Sequence, residues 1–594
     1  MLGHFKEPWF QPEFSATPSK VMPLTEAVRQ FIRPGMLVHM GMPGVRWPSA
    51  ILYEIARQFW GKEGSLQLSA ITVNLPAVIP IQGRIFSKII CSYAGDPYYS
   101  PSPNVAVQRA IKRGHLDIEN WSILSLPLRL QAAAMGLPFF PTHSILGSSM
   151  EEENKESFIA IDDPFGSHEK VGLVKALAPD VTILHGWMAD QEGNALFLPP
   201  YSEQFHSAMA SKEGVVLAVE KIVSSKTIRE HNHFVRLPGI YVKSVSEVPF
   251  GAHPAGLSRI GMKGMDLYGE DYDFVEEGHQ AAKTDESFDK WIDDWVLSIN
   301  GHEEYLEKLG HKRLMYLKGM SHFDTWRSDI KSIKKISKSS SYTSVEMSVV
   351  ALSRKLAETI LRNQYKTMLV GAGIANLAGW LCFYNLRKQG YEINLMAEIG
   401  LYGYVPQPLD PSLFNYRNFP NCKMVADIQT IIGTVLGGSQ NRCIGALGAA
   451  EVDKEGNLNS TRSDDGSFVV GSGGANDVAS SSREVMVIMG HSKKRLKEEL
   501  TYVTSPGKKV TALVTTRGIF EKLGDDHELT LTSVLPRLKD TVIEDAVQTI
   551  KDHCGWHVKE SPLITCFDPP ERSDLELMRS FDPNRYYLGK GPEK

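Results

Sequence analysis

Short apolar runs alternate with helical patterns along the chain, and the same order occurs twice. Leu37-Val38-His39-Met40 is an apolar run that enters Gly41-Met42-Pro43-Gly44. A helical pattern follows over 48–60, with Ile51, Leu52, Ile55 and Phe59 on one face, and Ser65 to Ile71 reads as a strand. Far downstream, Met368-Leu369-Val370 enters Gly371-Ala372-Gly373, a helix is predicted over 376–389, and 391–396 reads as a strand. A second pair of segments matches more closely: Asp190-Gln191-Glu192-Gly193-Asn194 and Asp453-Lys454-Glu455-Gly456-Asn457, each after an apolar run. Glycine and asparagine tolerate positive φ, so both segments predict tight turns. The repeated order predicts an α/β protein of two related halves, each an open, mostly parallel sheet flanked by helices. Such a duplication places the working site between the halves.

The junction is visible as a change of composition. Residues 328–344 are rich in lysine and serine, and a helical pattern restarts at Val345-Glu346-Met347. The expected division is therefore 1–325, a linker over 326–344, and 345–594. The total of 594 residues is more than one core supports. Thr367 to Leu386 holds no charge and is long enough to span a membrane, but Gly371, Gly373, Asn376, Gly379 and Asn385 favour a strand, a glycine turn and a helix. With 42% apolar and 22% charged residues the chain is neither disordered nor fibrous. A net charge of −5 supplies no broad basic field, which argues against nucleic acid as the main partner. Six cysteines with no C-x-x-C pair, and an N-terminus without a basic-then-apolar leader pattern, fit a reducing, cytoplasmic setting.

Candidate chemistry gathers at strand ends. Glu398 closes the apolar run before Ile399-Gly400-Leu401-Tyr402-Gly403-Tyr404-Val405-Pro406. In open α/β sheets, ligands bind beyond the carboxyl ends of strands, where this glutamate falls. Gly400 and Gly403 would let a substrate approach the backbone; the alternative is a surface glutamate beside an ordinary turn. Val469 to Ala479 carries Gly471, Gly473 and Gly474 ahead of a helix starting near Asp477. That is a cradle for an anion or oxyanion, but without P-loop or G-x-G-x-x-G spacing. Phe197, Tyr201, Tyr402 and Tyr404 are candidates for an apolar acyl pocket or for core. No metal site is expected, since neither His231-Asn232-His233 nor His553-Cys554-Gly555-Trp556-His557 has partners at ligand spacing, and G-x-S-x-G is absent.

These segments together resemble the class I CoA-transferases, in the form of a glutaconate CoA-transferase-like protein whose A-type and B-type subunits are fused in one chain. Glu398-x-Gly400-x-x-Gly403-x-x-Pro406 resembles the segment that carries the family's nucleophilic glutamate, with Ala397 and Ile399 as changed neighbours. Gly445-Ala446, Asp453-Lys454-x-Gly456-Asn457 and Gly471-Ser472-Gly473-Gly474-Ala475-Asn476-Asp477 follow in the family's order. Asp190-x-x-Gly193-Asn194, Pro238-Gly239 and Glu247-Val248-Pro249-Phe250-Gly251 do so in the first half, whereas Gly41-Met42-Pro43-Gly44 replaces the usual Gly-Gly-Phe loop. The resemblance implies ping-pong transfer of CoA from an acyl-CoA to a carboxylic acid through a glutamyl-CoA thioester on Glu398. It implies no permanently bound cofactor, with coenzyme A as a substrate held near Gly400, Gly403, Gly471, Gly473, Gly474, Gly41 and Gly44. Oxyanion donors are expected from 471–474 or 41–44. A homo-oligomer is compatible with it. The alternative on the same scaffold is a hydrolase, or a C–C lyase or decarboxylase, acting on a CoA ester; by the same resemblance such relatives lack the glutamate.

Overall fold

The computed structural model describes residues 18–591 apart from 42–45, 97–100, 167–168, 258–266, 322–324, 326, 328–335 and 537–541. Gly44 and nearly half of the predicted linker therefore lie outside the described residues.

The first half is built on a nine-stranded sheet. Its strands β1 (Leu37–Met40), β2 (Leu66–Thr72), β3 (Phe86–Tyr93), β4 (Asp117–Asn120), β5 (Val181–Ala189), β6 (Val215–Ile222) and β7 (Val242–Glu247) lie in the order 4-3-2-1-5-6-7. All of these pairings are parallel. Helix α1 (Ser49–Phe59) crosses from β1 to β2 and buries Ile51, Leu52, Ile55 and Phe59, the face expected from the spacing. The order reverses between β1 and β5, which makes that point the sheet's topological switch.

The second half opens with α2 (Ser344–Asn363) and a ten-stranded sheet. β8 (Thr367–Val370) is joined by α3 (Ile374–Lys388) to β9 (Asn394–Ala397). β10 (Leu401–Tyr404) turns back antiparallel. β11 (Cys443–Gly448), α4 (Ala475–Ser481), β12 (Glu484–Met489) and β13 (Val510–Thr515) follow, and the parallel order is 9-8-11-12-13. The uncharged stretch 367–386 is thus a strand, a glycine turn and a helix; no described helix is long and apolar enough to cross a membrane.

The duplication survives at atomic detail. Asp190 Oδ1 accepts from the N–H groups of Glu192 and Asn194, and Asp453 Oδ1 accepts from those of Glu455 and Asn457. Gly193 and Gly456 turn the chain at φ 91° and 79°. Asn194 Oδ1 then accepts from Gly239 N at 2.9 Å, and Asn457 Oδ1 from Gly507 N at 2.7 Å. A Cβ on Gly239 would stand 2.4 Å from the Glu192 carbonyl, and one on Gly507 2.5 Å from that of Glu455. Both glycines follow proline and open a single 3-10 turn, Gly239–Tyr241 or Gly507–Lys509, that leads into a parallel strand, β7 or β13. The Pro506-Gly507 copy carries no signal of its own in the sequence; its spacing from Asn457 reveals it only once the first pair is known.

The described end of the junction, 336–343, is extended but pinned. Thr343 caps α2 by accepting from Glu346 N, and the Glu346 carboxylate accepts from Thr343 N, a reciprocal capping box. Glu346 is fully buried and pairs with Arg579 from the C-terminal helix α5 (Arg572–Phe581). The same guanidinium donates to the carbonyls of Ser337, Ser339 and Ser341. Its bonds hold the carboxyl of Glu346 below the usual glutamate range against the effect of burial. Arg579→Met strips this pair and three carbonyls at once. We expect about 3 kcal/mol of lost stability in urea unfolding, with proteolytic cleavage appearing within 336–343.

Candidate active site

Glu398 stands one residue beyond the carboxyl end of β9, in the turn to β10. Its carboxylate opens on a cavity of about 470 Å³. The walls come from the carboxyl ends of β8 (Gly371 to Ile374), β11 (Leu447 to Ala450) and β12 (Ile488, Met489). Thr72, Tyr93 and Ile123 of the first half close the other side. The cavity therefore sits at the second sheet's switch between β8 and β11 and is completed by the first sheet, where ligand sites of open α/β sheets are expected.

The glycine-rich segment before α4 is the seam between the halves. Gly473 N donates to the Ser92 carbonyl at 3.0 Å, Ile123 N donates to the Gly473 carbonyl at 3.0 Å, and Ser472 N donates to Asn120 Oδ1 at 3.1 Å. Asp477, with no exposure, accepts from Ser122 Oγ at 2.7 Å, Ser144 Oγ at 2.6 Å and Leu124 N at 3.0 Å. Asn476 Oδ1 accepts from Ile145 N at 2.8 Å, and its Nδ2 donates to the Thr504 carbonyl at 2.9 Å. These bonds fix Gly474 against Glu398, where an added Cβ would lie 3.0 Å from Glu398 Oε2.

Burial pushes the Glu398 carboxyl up to about 7, and the charge of Asp477 adds to the rise. Asp477 is itself pushed up to about 6 by burial, against the pull of its three donors. Glu398 is half-buried and lines the cavity.

The structure divides the predicted glycines. Gly471, Gly473 and Gly474 line the cavity. The N–H groups of Gly471 and Gly473, however, are spent on the carbonyls of Ser460 and Ser92. Among the described residues Gly474 is the member of that trio whose N–H has no backbone partner. Gly400 and Gly403 do not line the cavity; they shape the hairpin behind Glu398. Gly400, at φ 127°, leaves room for the Ala426 carbonyl, 2.3 Å from where a Cβ would stand, and Gly403, at φ 67°, underlies the Lys423 side chain. Gly41 is packed against Leu184 and Gln204 at the end of β1, outside the cavity lining. The aromatic candidates are displaced too. Phe197 packs on Trp187 and Phe205, Tyr404 accepts from Trp380 Nε1, and the rings lining the cavity are those of Tyr93, Phe414 and Tyr587. Sequence reading missed Tyr93, Asp477's bonding role and Arg495 at the cavity mouth, none of which stands in a recognisable spacing. Among the described residues no three His, Cys, Asp or Glu side chains form a metal-holding group.

A family model described as Coenzyme A transferase matches residues 21–248 and 437–536. The A-type subunit of the Acidaminococcus fermentans glutaconate CoA-transferase is 30% identical over 315 residues, which is 50% of this chain and 95% of that polypeptide. The B-type subunit of the Pseudomonas knackmussii 3-oxoadipate CoA-transferase is 26% identical over 265 residues, 41% of this chain and 94% of that polypeptide. An acyl-CoA transferase of Escherichia coli O157:H7, solved as the apoenzyme, superposes with a TM-score of 0.64 at 16% identity, covering 96% of this chain and 97% of that one. It shows the same fold through both halves. Glu398 lies between the two stretches matched by the family model.

Two outcomes follow from the geometry. Gly474 has φ −86°, so alanine fits its backbone and the change acts only by pushing on Glu398. Gly474→Ala should lower turnover on the order of 100-fold at nearly unchanged melting temperature, since small misplacements of a reacting group cost that much. The pH dependence has a definite sign. A reacting carboxylate must be ionised, so the rate of its attack should rise with pH and reach half its plateau near 7. Asp477→Asn removes a neighbouring negative charge, and the inflection should move to lower pH.

Proposed function

The chain belongs to the coenzyme A transferase family, and from that premise we propose that Glu398 is the nucleophile that carries CoA from an acyl-CoA to a carboxylic acid. The observation that carries this reading is the placement of Glu398: a half-buried carboxylate at a sheet's switch point, facing a cavity walled by both halves. In this reading 1–325 is the A-subunit-like half, 326–344 the connection and 345–594 the B-subunit-like half. The six cysteines are all free thiols, which supports a cytoplasmic setting.

A Glu398 oxygen attacks the thioester carbonyl of the donor. The C–S bond breaks, the electron pair leaves on sulfur, and an acyl-glutamyl anhydride forms. The CoA thiolate then attacks the glutamyl carbonyl, and the donor acid departs as its carboxylate with the electron pair of the broken C–O bond. A glutamyl-CoA thioester remains. The acceptor carboxylate attacks its carbonyl and expels the thiolate. The thiolate attacks the acyl carbonyl of the new anhydride, which frees acyl-CoA and restores the Glu398 carboxylate. No net proton moves, and one thioester replaces another, so no external energy source is required.

The surroundings support each demand of this route. A carboxylate held at the cavity wall gains the effective concentration that its weak nucleophilicity lacks. Burial keeps water from the anhydride. The raised affinity of Glu398 for protons reflects a less solvated, more reactive anion above neutral pH. Main-chain donors beside it, at Gly474 and in the Ala372-Gly373 turn, are the candidates to hold the tetrahedral oxyanion.

Intact mass spectrometry after mixing with a panel of acyl-CoA esters, without acceptor acid, tests the proposal. A CoA-sized adduct should map to Glu398. Glu398→Gln should form none, lose transfer, and melt no lower than the parent, because a buried carboxyl that resists ionisation is a stability cost at neutral pH. Consumption of acyl-CoA with no adduct, retained by Glu398→Ala, would overturn transfer in favour of a hydrolase or lyase.

A further inference from the structure

The cavity beside Glu398 is walled mainly by apolar side chains, and aromatic rings stand close to the carboxylate. The Cβ position of Gly474 lies 3.0 Å from Glu398 Oε2 and 3.5 Å from Ile123 Cγ2, and that of Gly473 lies 3.8 Å from Tyr93 Cδ2. Ile123 and the Tyr93 ring therefore approach the same strip of backbone as Glu398. Tyr587, 8% exposed, lines the cavity from the second half, and the Tyr93 phenol is close enough to act on its own. Val478, Ile488 and Met489, all buried, continue the wall, and Phe414 adds a third ring. Such a wall favours apolar ligand surface, and rings favour an edge or face of another ring.

The charges oppose a second carboxylate at this end. Among the described residues that line the cavity, Glu398 and Arg495 are the charged ones. Arg495 is exposed, and its Nη1 lies 3.1 Å from the Cβ position of Gly490, the residue directly after β12. Three strand spacings separate β12 from β9 in the sheet order, roughly 14 Å. A five-carbon diacid with one end at Glu398 does not bridge that gap. Asp477 adds a negative charge behind Glu398, and its donors, Ser122 Oγ, Ser144 Oγ and Leu124 N, are uncharged. A second carboxylate entering beside Glu398 would lose its water, gain no cation and meet like charge.

We propose that the acyl group taken by this site is uncharged and carries an aromatic ring, so that the acid exchanged at Glu398 is an arylalkanoic monocarboxylic acid rather than a dicarboxylic one, with its ring beside Tyr93 and Tyr587. The proposal deepens the transferase reading and rests on it for the reacting end of the acid; the choice of acyl group rests on the walls of the cavity. Tyr93 is then a specificity determinant contributed by the half that does not carry Glu398.

Two measurements on the full chain test this with phenylacetyl-CoA, valeryl-CoA and glutaryl-CoA. Calorimetry on Glu398→Gln reads binding without reaction, and intact mass on the parent reads the rate of adduct formation. Valeryl and glutaryl share five carbons and differ by one carboxylate. We expect phenylacetyl-CoA to exceed valeryl-CoA on the order of 10-fold in both measurements, from burial of a ring. Valeryl-CoA should exceed glutaryl-CoA on the order of 100-fold, from stranding a carboxylate without a partner. Tyr93→Phe should keep the first ratio. Tyr93→Leu keeps apolar bulk but no ring face and should cut that ratio to about 3-fold or less. A ratio between donors does not depend on how much of a variant is folded. Glutaryl-CoA binding as tightly as valeryl-CoA, or a phenylacetyl preference untouched by Tyr93→Leu, would overturn the proposal. The expected order of binding with no adduct from any of the three esters would instead sink the transferase reading and uphold the assignment of the acyl group.

Discussion

The site depends on one buried carboxylate. Asp477 stands at the start of α4 in the second half, yet its donors, Ser122, Leu124 and Ser144, all belong to the first. Neighbouring Asn476 reaches the first half as well, through Ile145 N. Apolar contact resists separation of two bodies but tolerates sliding; hydrogen bonds of fixed direction resist both. Two sheets that meet at their carboxyl ends require such bonds, because a slip of even about 1 Å would move Gly474 away from Glu398. The arrangement costs the energy of burying a charge, seen in the upward push on Asp477. That same charge raises Glu398, so the interaction that aligns the halves also tunes the group between them.

The duplication explains why the seam lies where it does. Each half uses an Asp-x-x-Gly-Asn turn whose asparagine reaches a glycine just before the next parallel strand. Each half also has its own switch point. The second sheet's switch carries the Glu398 carboxylate beside a cavity, and the first sheet's carries the buried Arg46 guanidinium. The copies have kept the scaffold bonds and diverged at the strand ends, where function sits.

The fold was largely legible in the sequence because it rests on local periodicities. Strand, glycine turn and helix recur at 37–71 and at 367–397, and α1 buries the face that its spacing marks. The site was half legible. Glu398 is found by its position at a strand end, and Gly471 to Gly474 by composition. Gly400 and Gly403 share that composition but serve the hairpin, because the approach of Ala426 and Lys423 is a tertiary fact with no local trace. The same holds for Tyr93 and Phe197. Both are aromatic residues near strand ends, and the pairing of the halves, not the spacing, decides which one lines the cavity.

Placing Glu398 in one half and much of its surroundings in the other has a chemical consequence. Glu398 is held by β9 and its hairpin, while Thr72, Tyr93 and Ile123 approach from the opposite sheet. A carboxylate exposed on a single sheet would be hydrated and unreactive. Closing a second sheet over it removes most of that water without covering it with a lid. The environment of that carboxylate is then a property of the interface, held by the bonds that lock the two halves in register.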